Sequence, residues 1–182
     1  MKVFSSSEDE GTRLAATLRD YLAARYTATI ATVSESSSGP EPHAASVFYV
    51  VGRGLELIFL SRPDSRHGTD LGDRGKAAFT VTDSGQNWKE IQGAQLWGEV
   101  EKLSGRARLE ALARYSAAFP FLREVSLDAR GAAALRAAAA YRFVPFRAAF
   151  TDNRTGLFGR VLLELEPGFP SSADSPSDGK PE

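Results

Sequence analysis

From Asp9 to Arg25, Leu14, Leu18, Tyr21 and Leu22 recur three and four positions apart with charged residues between them, which places one apolar stripe on an amphipathic helix. The period then shortens. Thr27 to Val33 alternates β-branched with small residues, Ser34 to Pro40 supplies a flexible turn, and Pro42 to Val51 is a second, more apolar run, so a β-hairpin is expected. Gly52-Arg53-Gly54 turns the chain into a third strand over 55–60. That strand ends at a hydroxyl, is broken by Pro63, and the chain restarts at Ser65 with Ser65, Thr69 and Leu71 at helical spacing, predicting strand, loop and a short helix over 65–73. Lys76 to Thr82 and Ile91 to Leu103 predict two more strands around an Asp83-Ser84-Gly85-Gln86 turn. Strands this closely linked predict a closed or nearly closed antiparallel barrel.

Beyond the barrel, Ser104 to Phe119 predicts a helix with Ser104 as its cap and Leu109, Leu112, Ala113 and Tyr115 as a buried stripe. Ala132 to Ala140 predicts another, favoured by alanine's helix propensity. Tyr141 to Thr151 and Leu157 to Leu165 return to strand character around Asp152-Asn153-Arg154-Thr155-Gly156. One domain over 1–166 is expected, followed by a disordered tail over 167–182, rich in Pro, Ser, Asp and Gly.

Composition narrows the function more than the fold. With 22 Lys plus Arg against 23 Asp plus Glu, the chain has a formal charge of -1 and no global basic field to hold nucleic acid or an anionic membrane. Any anion site must be local. The absence of cysteine removes disulfides, thiolate catalysis and Cys-based zinc sites. No apolar run approaches the ~20 residues needed to span a bilayer, and a cytoplasmic protein is expected.

Three stretches carry candidate chemistry. The first is Ser61-Arg62-Pro63-Asp64-Ser65-Arg66-His67. Ser65 as N-cap puts Arg66 and His67 in the first helical turn, where the positive end of the helix dipole disfavours cations. A phosphate there would resolve the conflict by accepting from Ser61, Ser65 and free backbone N–H groups while neutralising Arg62 or Arg66. The competing explanation is that Asp64, Asp70 and Asp73 already neutralise these bases on a solvated helix end. The second stretch is the small run Ala44-Ala45-Ser46 within His43 to Val50, where a flat ligand can lie against the backbone, or where small residues merely make room for helices. The third is Trp88 with Gln92 and Gln95 on opposite faces of one strand; either amide could bind the polar edge of a ring system, or both simply face solvent. Two histidines without a carboxylate at ligand spacing make a metal site unexpected, and no serine lies in a Gly-x-Ser-x-Gly elbow.

Thr27 to Val33, Pro42 to Tyr49, Phe59 to His67, Ile91 to Gly98, Asp152-Asn153 and Phe158-Gly159, taken in this order, resemble the pyridoxamine-phosphate-oxidase-like split-barrel flavoproteins, above all their small general-stress members. The resemblance implies a mainly β, α+β fold, an antiparallel split barrel with flanking helices. It implies a homodimer with FMN at the subunit interface, its phosphate on Ser61, Arg62, Ser65, Arg66 and His67 and its ring over His43, Ala44, Ala45, Ser46 and Val47, with Trp88, Gln92 and Gln95 near the flavin. An oxidoreductase taking a small-molecule redox substrate or NAD(P)H is the activity this implies; a flavin or haem carrier is the alternative. Arg66-His67 stands where the family often has a lysine, which leaves FAD and a deazaflavin open beside FMN. The chain also lacks the basic, histidine-containing end of the oxidase that makes pyridoxal phosphate, so that reaction is not expected. Phe119, Phe121, Phe143, Phe146 and Phe150 are a further argument for a dimer, as aromatic surface needing cover.

Overall fold

The computed structural model describes residues 8–85, 87–156 and 159–165. Helix α1 (Glu8–Ala23) leads into β1 (Thr27–Ser36), β2 (Gly39–Val51) and β3 (Leu57–Ser61), then the short α2 (Arg66–Leu71), β4 (Arg74–Thr82) and β5 (Gln92–Lys102). Three helices follow, α3 (Gly105–Ala118), α4 (Phe121–Leu127) and α5 (Ala129–Ala137), and the chain returns through β6 (Ala139–Asp152) and β7 (Arg160–Glu164). The strands form one sheet in the order β3-β2-β1-β4-β5-β6-β7, antiparallel throughout, and an additional β3–β6 pairing closes it into a split barrel.

The closure depends on how β6 divides its edge. One side runs along β5 from Gln92 to Lys102; the other serves β3 over residues 139–143 and β7 over residues 147–151. Between those halves the register slips. Trp97 lies opposite Arg147 but Gly98 opposite Pro145, so Phe146 is an extra residue, and Pro145 sits at the bulge, where a missing N–H is tolerated. Gly98 is required there, since a Cβ would lie 2.3 Å from the Val144 carbonyl and 2.6 Å from the Phe143 ring.

The barrel is filled by the inward residues of each strand, with Tyr49, Phe59, Phe79, Tyr141 and Phe143 fully buried. Phe79 and Phe143 meet at 4.5 Å between ring centroids, and Tyr141 stacks on Phe59 at 5.1 Å. α1 stops one end of the barrel with Leu18, Tyr21 and Leu22. α3 covers the outside of β2 and β3 with Ala111, Tyr115 and Phe119.

Several expectations need correcting. The buried positions of α3 are Ala111 and Tyr115, not Leu109 and Ala113, which are exposed, while Leu112 is half-buried; burial here follows the face laid on β2, which small Ala111 fits closely. Ser104 is at the N-cap position, but its side chain makes no capping bond. The alanine-rich helix runs over Ala129–Ala137 with Asp128 as its cap, because Ala139 and Ala140 are drawn into β6 opposite Ser61 and Leu60. α4 is an additional helix. Phe119, Phe143 and Phe150 are buried in the chain's own cores, so those aromatics need no partner to cover them. No described helix is long and apolar enough to cross a membrane. The expected tail over 167–182 lies outside the described residues.

Candidate functional site

β2 pairs with β1 from Gly39 to Phe48 but with β3 only from Tyr49 to Val51, so among the described residues the other edge of residues 39–48 has no strand beside it. This is the split in the barrel. The β3–α2 turn sits beside it, and α2 packs against β1, β2 and β4.

The turn is tight for an identifiable reason. Ser65 Oγ accepts from the Gly68 N–H at 3.1 Å, capping α2 as its sequence predicts, and donates to the Arg62 carbonyl at 2.7 Å. A Cβ at Gly68 would lie 2.4 Å from that same carbonyl, so only glycine permits this turn. Ser61 Oγ and His67 Nε2 share a hydrogen bond of 2.6 Å, and Ser65 Oγ is 3.3 Å from each. His67 is 7% exposed and lies parallel to His43, ring centroids 6.1 Å apart. Burial first, and then His43, push the His67 pKa below its ordinary value, against the opposing pull of Asp70. His67 is therefore neutral near pH 7.

Around this neutral core lies a charged ring. Thr32 Oγ1 donates to Asp70 Oδ2 at 2.6 Å, and Asp70 pairs with Arg66 one turn earlier in α2 at 3.3 Å. Arg66 also bonds Ser34 Oγ at 2.6 Å and Glu41 at 3.0 Å, and its pKa is raised chiefly by Glu41. Arg62 forms a forked pair with Asp64, whose carboxyl it holds below the usual range. The two arginines are thus neutralised by Asp64, Asp70 and Glu41. Asp73 instead pairs with Lys102.

The second feature is the outer face of the barrel beside this turn. Cross-strand register lines up Ser46, Thr29, Thr80 and Gln95 in one row and Ala44, Ala31, Ala78 and Trp97 in the next. Few side chains project from this surface. A shallow groove of about 100 Å³ runs along it between Thr27, Thr29, Ser46, Thr80 and Thr82. Tyr26, Val33 and Phe48 stand exposed at its margin, which is unusual for residues of their size.

The structure brings some candidates together and separates others. His43, Ser61, Ser65 and His67 form one cluster, with Arg62 and Arg66 on its solvent side. Ala44, Ser46 and Gln95 share the outer platform, whereas the Ala45 side chain points inward and Val47 is core. Trp88 and Gln92 lie at the opposite end of the barrel; Gln92 donates to Asp152 at 3.0 Å, and Gln95 accepts from Arg160 at 2.6 Å. Sequence reasoning missed Thr32, Ser34 and Glu41 as partners of the turn. Their alternation within the first hairpin was the available signal, because it puts Thr32 on the inward face, but the link to Asp70 requires the tertiary fold.

The profile of the pyridoxamine 5'-phosphate oxidase family matches residues 14–145, spanning the barrel through the β3–α2 turn and on to the bulge. The chain belongs to that family. A UPF0306 protein of Klebsiella pneumoniae is 32% identical over 127 residues, 69% of this chain and 78% of that protein. Among solved structures, the haem-binding protein of Mycobacterium smegmatis superposes with a TM-score of 0.59 at 18% identity, covering 89% of this chain and 60% of that one. The FAD-binding protein of the same organism superposes with a TM-score of 0.53 at 13% identity, covering 75% and 94%. At these identities the two structures establish the shared fold alone.

Proposed function

We propose that the protein binds a phosphorylated flavin, FMN first of all, between two copies of the chain, and works as a flavin-dependent oxidoreductase on a small-molecule redox substrate or NAD(P)H. The observation that carries this reading is the hydroxyl-and-imidazole cluster of Ser61, Ser65 and His67 at the unpaired edge of β2, next to an outer face that is Ala, Ser and Thr at residues 44 and 46 of β2, 29 and 31 of β1, and 78 and 80 of β4. Family membership supports a flavin, and the residues fit one: the glycine-only turn at Gly68 leaves the Ser65 hydroxyl and backbone close together, as a phosphate cradle needs.

In this reading the Ser61 hydroxyl and backbone N–H groups of the turn donate to the phosphate, His67 orients Ser61, Ser65 holds the turn through its bond to the Arg62 carbonyl, and Arg66 exchanges Glu41 for the phosphate. A neutral His67 suits the role, since it offers one N–H without adding a buried charge. The open backbone edge of residues 44–47 binds the polar rim of the ring, while Ala44 and Ser46 leave room for its face. A second copy laid on the platform would exclude water and bring its own Trp88, Gln92 and Gln95 to the site. The bound flavin supplies the two-electron chemistry, and the protein contributes position and electrostatics. FAD and phosphorylated deazaflavins present the same phosphate and would use the same cluster. A cytoplasmic location accords with NAD(P)H as donor.

Flavin-loaded protein, freed of excess ligand, is expected to retain a flavin absorption spectrum and to oxidise NAD(P)H. Retention without turnover would support a carrier; loss of flavin would remove the reading. Sedimentation of the wild type and of Ala31→Arg, which places a charge on the platform, tests the assembly: a dimer that the substitution dissociates is expected.

A further inference from the structure

A cavity of about 750 Å³ lies away from the β3–α2 turn, between the end of α1, the end of β2 and the α3–α4 corner. Its volume falls in the range of small-molecule sites, ~300–1,000 Å³. Its walls are aromatic. Phe48 sits at the centre, edge-on to Phe119 at 5.6 Å, tilted against Phe121 at 5.8 Å and stacked on Tyr26 at 6.0 Å. Phe48 and Phe121 remain more than 40% exposed, so these rings present faces and edges that nothing among the described residues covers.

The mouth is cationic. Arg19, Arg25 and Arg114 line it, and among the described residues no Asp or Glu does. Arg25 is committed to Asp83 and lies over the Tyr21 ring at 3.6 Å. Arg19 and Arg114 are held differently: Arg19 donates to the Gly52 and Gly54 carbonyls, and Arg114 reaches the Val51 carbonyl at 3.4 Å. Neutral carbonyls position a guanidinium without cancelling its charge. Arg19 and Arg114 therefore keep their positive charge at the rim of the apolar wall, while Arg25 is neutralised by Asp83.

We infer that this cavity binds an aromatic carboxylate, its rings among Phe48, Phe119 and Phe121 and its anionic group at Arg114 and Arg19. A planar body matches ring faces and edges better than a branched chain does, and a carboxylate matches the guanidinium fork. Phe48 also projects from the same face of β2 as Ala44 and Ser46, so the ligand lies at the margin of the platform. Its assignment as the substrate of the oxidoreductase rests on the flavin reading; its binding does not.

The test uses flavin-free full-length protein and calorimetric titration with 2-naphthoate and with its neutral counterpart, 2-naphthalenemethanol. The wild type is expected to bind the carboxylate about tenfold more tightly or better. Arg114→Gln should shrink that preference several-fold while leaving the alcohol unchanged, a pattern that misfolding does not produce. Ala118→Trp, which fills the cavity from the end of α3, should weaken both ligands about tenfold. Equal affinity for the two ligands, a preference untouched by Arg114→Gln, or no saturable binding would each overturn the proposal. So would a dimer whose formation abolishes naphthoate binding, since the aromatic wall would then belong to the second copy. None of these outcomes bears on FMN binding at the β3–α2 turn.

Discussion

The two ends of the barrel are stopped in different ways. At the α1 end the stopper is apolar. Leu18 and Leu22 fill the opening, and the polar atoms are tyrosine hydroxyls that donate to backbone carbonyls: Tyr49 to Leu22 at 2.8 Å, Tyr21 to Gln92 at 3.1 Å. Burial holds both tyrosines protonated far above neutral pH, so neither hydroxyl titrates in the physiological range. At the α2 end Leu71 enters the core, but beside it stand Thr32, Asp70, His67 and Ser61, ringed by Arg66, Glu41 and Ser34. A short apolar helix would have closed this end with less desolvation. The polar, titratable make-up of this second stopper is what sets the α2 end apart as the proposed site.

This contrast can be broken from either side. The largest effect belongs to the apolar end: Leu22→Ala, at a fully buried position, should lower stability by ~2–5 kcal/mol in chemical denaturation and leave FMN affinity in the folded protein unchanged. A matching loss of affinity would mean that the two ends are not independent.

Arg66→Ala reverses the pattern. It should weaken FMN by about tenfold to a hundredfold, measured by titration, because a charge-assisted bond to a phosphate is lost. The apo melting temperature should also fall, since Asp70, whose side chain is 3% exposed, loses its cation. A lower melting temperature with unchanged FMN affinity would make Arg66 structural only.

Smaller effects sharpen the comparison. Tyr49→Phe removes one buried bond to the Leu22 carbonyl and should cost ~0.5–1.5 kcal/mol by denaturant midpoint, with no change in its pH dependence. His67 carries the pH dependence. Its folded pKa lies below the unfolded value of 6.5, so its neutral form costs nothing above that pH. As pH falls further the unfolded chain takes up a proton that the fold resists, and stability declines. Melting temperatures from about pH 7 to about pH 5 should therefore fall less steeply in His67→Asn than in the wild type. Equal slopes would remove His67 as a titrating group.

How much of this was legible from the sequence differs between the same two ends. The leucine and tyrosine spacing of α1 and the strand alternation of β1, β2 and β4 fixed the barrel's periodic elements, because each rests on contacts whose direction the period determines. Ser65 was legible as the cap of α2 for the same local reason. The partners of Arg66 were not: Ser34 and Glu41 lie 32 and 25 residues away and meet it only once the first hairpin folds over α2. Asp70, at i+4, was the one partner within local reach. The α3–α5 segment failed differently. Alanine's helix propensity overran Ala139 and Ala140, which β3 recruits into β6, and propensity gave no sign of which face of α3 would meet β2.

The central claim is that the β3–α2 turn holds a flavin phosphate. Titration of the wild-type protein with FMN and with riboflavin, which has the same ring and no phosphate, tests it most directly. The account predicts saturable FMN binding and at least about tenfold weaker riboflavin binding, the difference disappearing in Arg66→Ala. Equal affinity for the two, or no saturable binding of either, would contradict it.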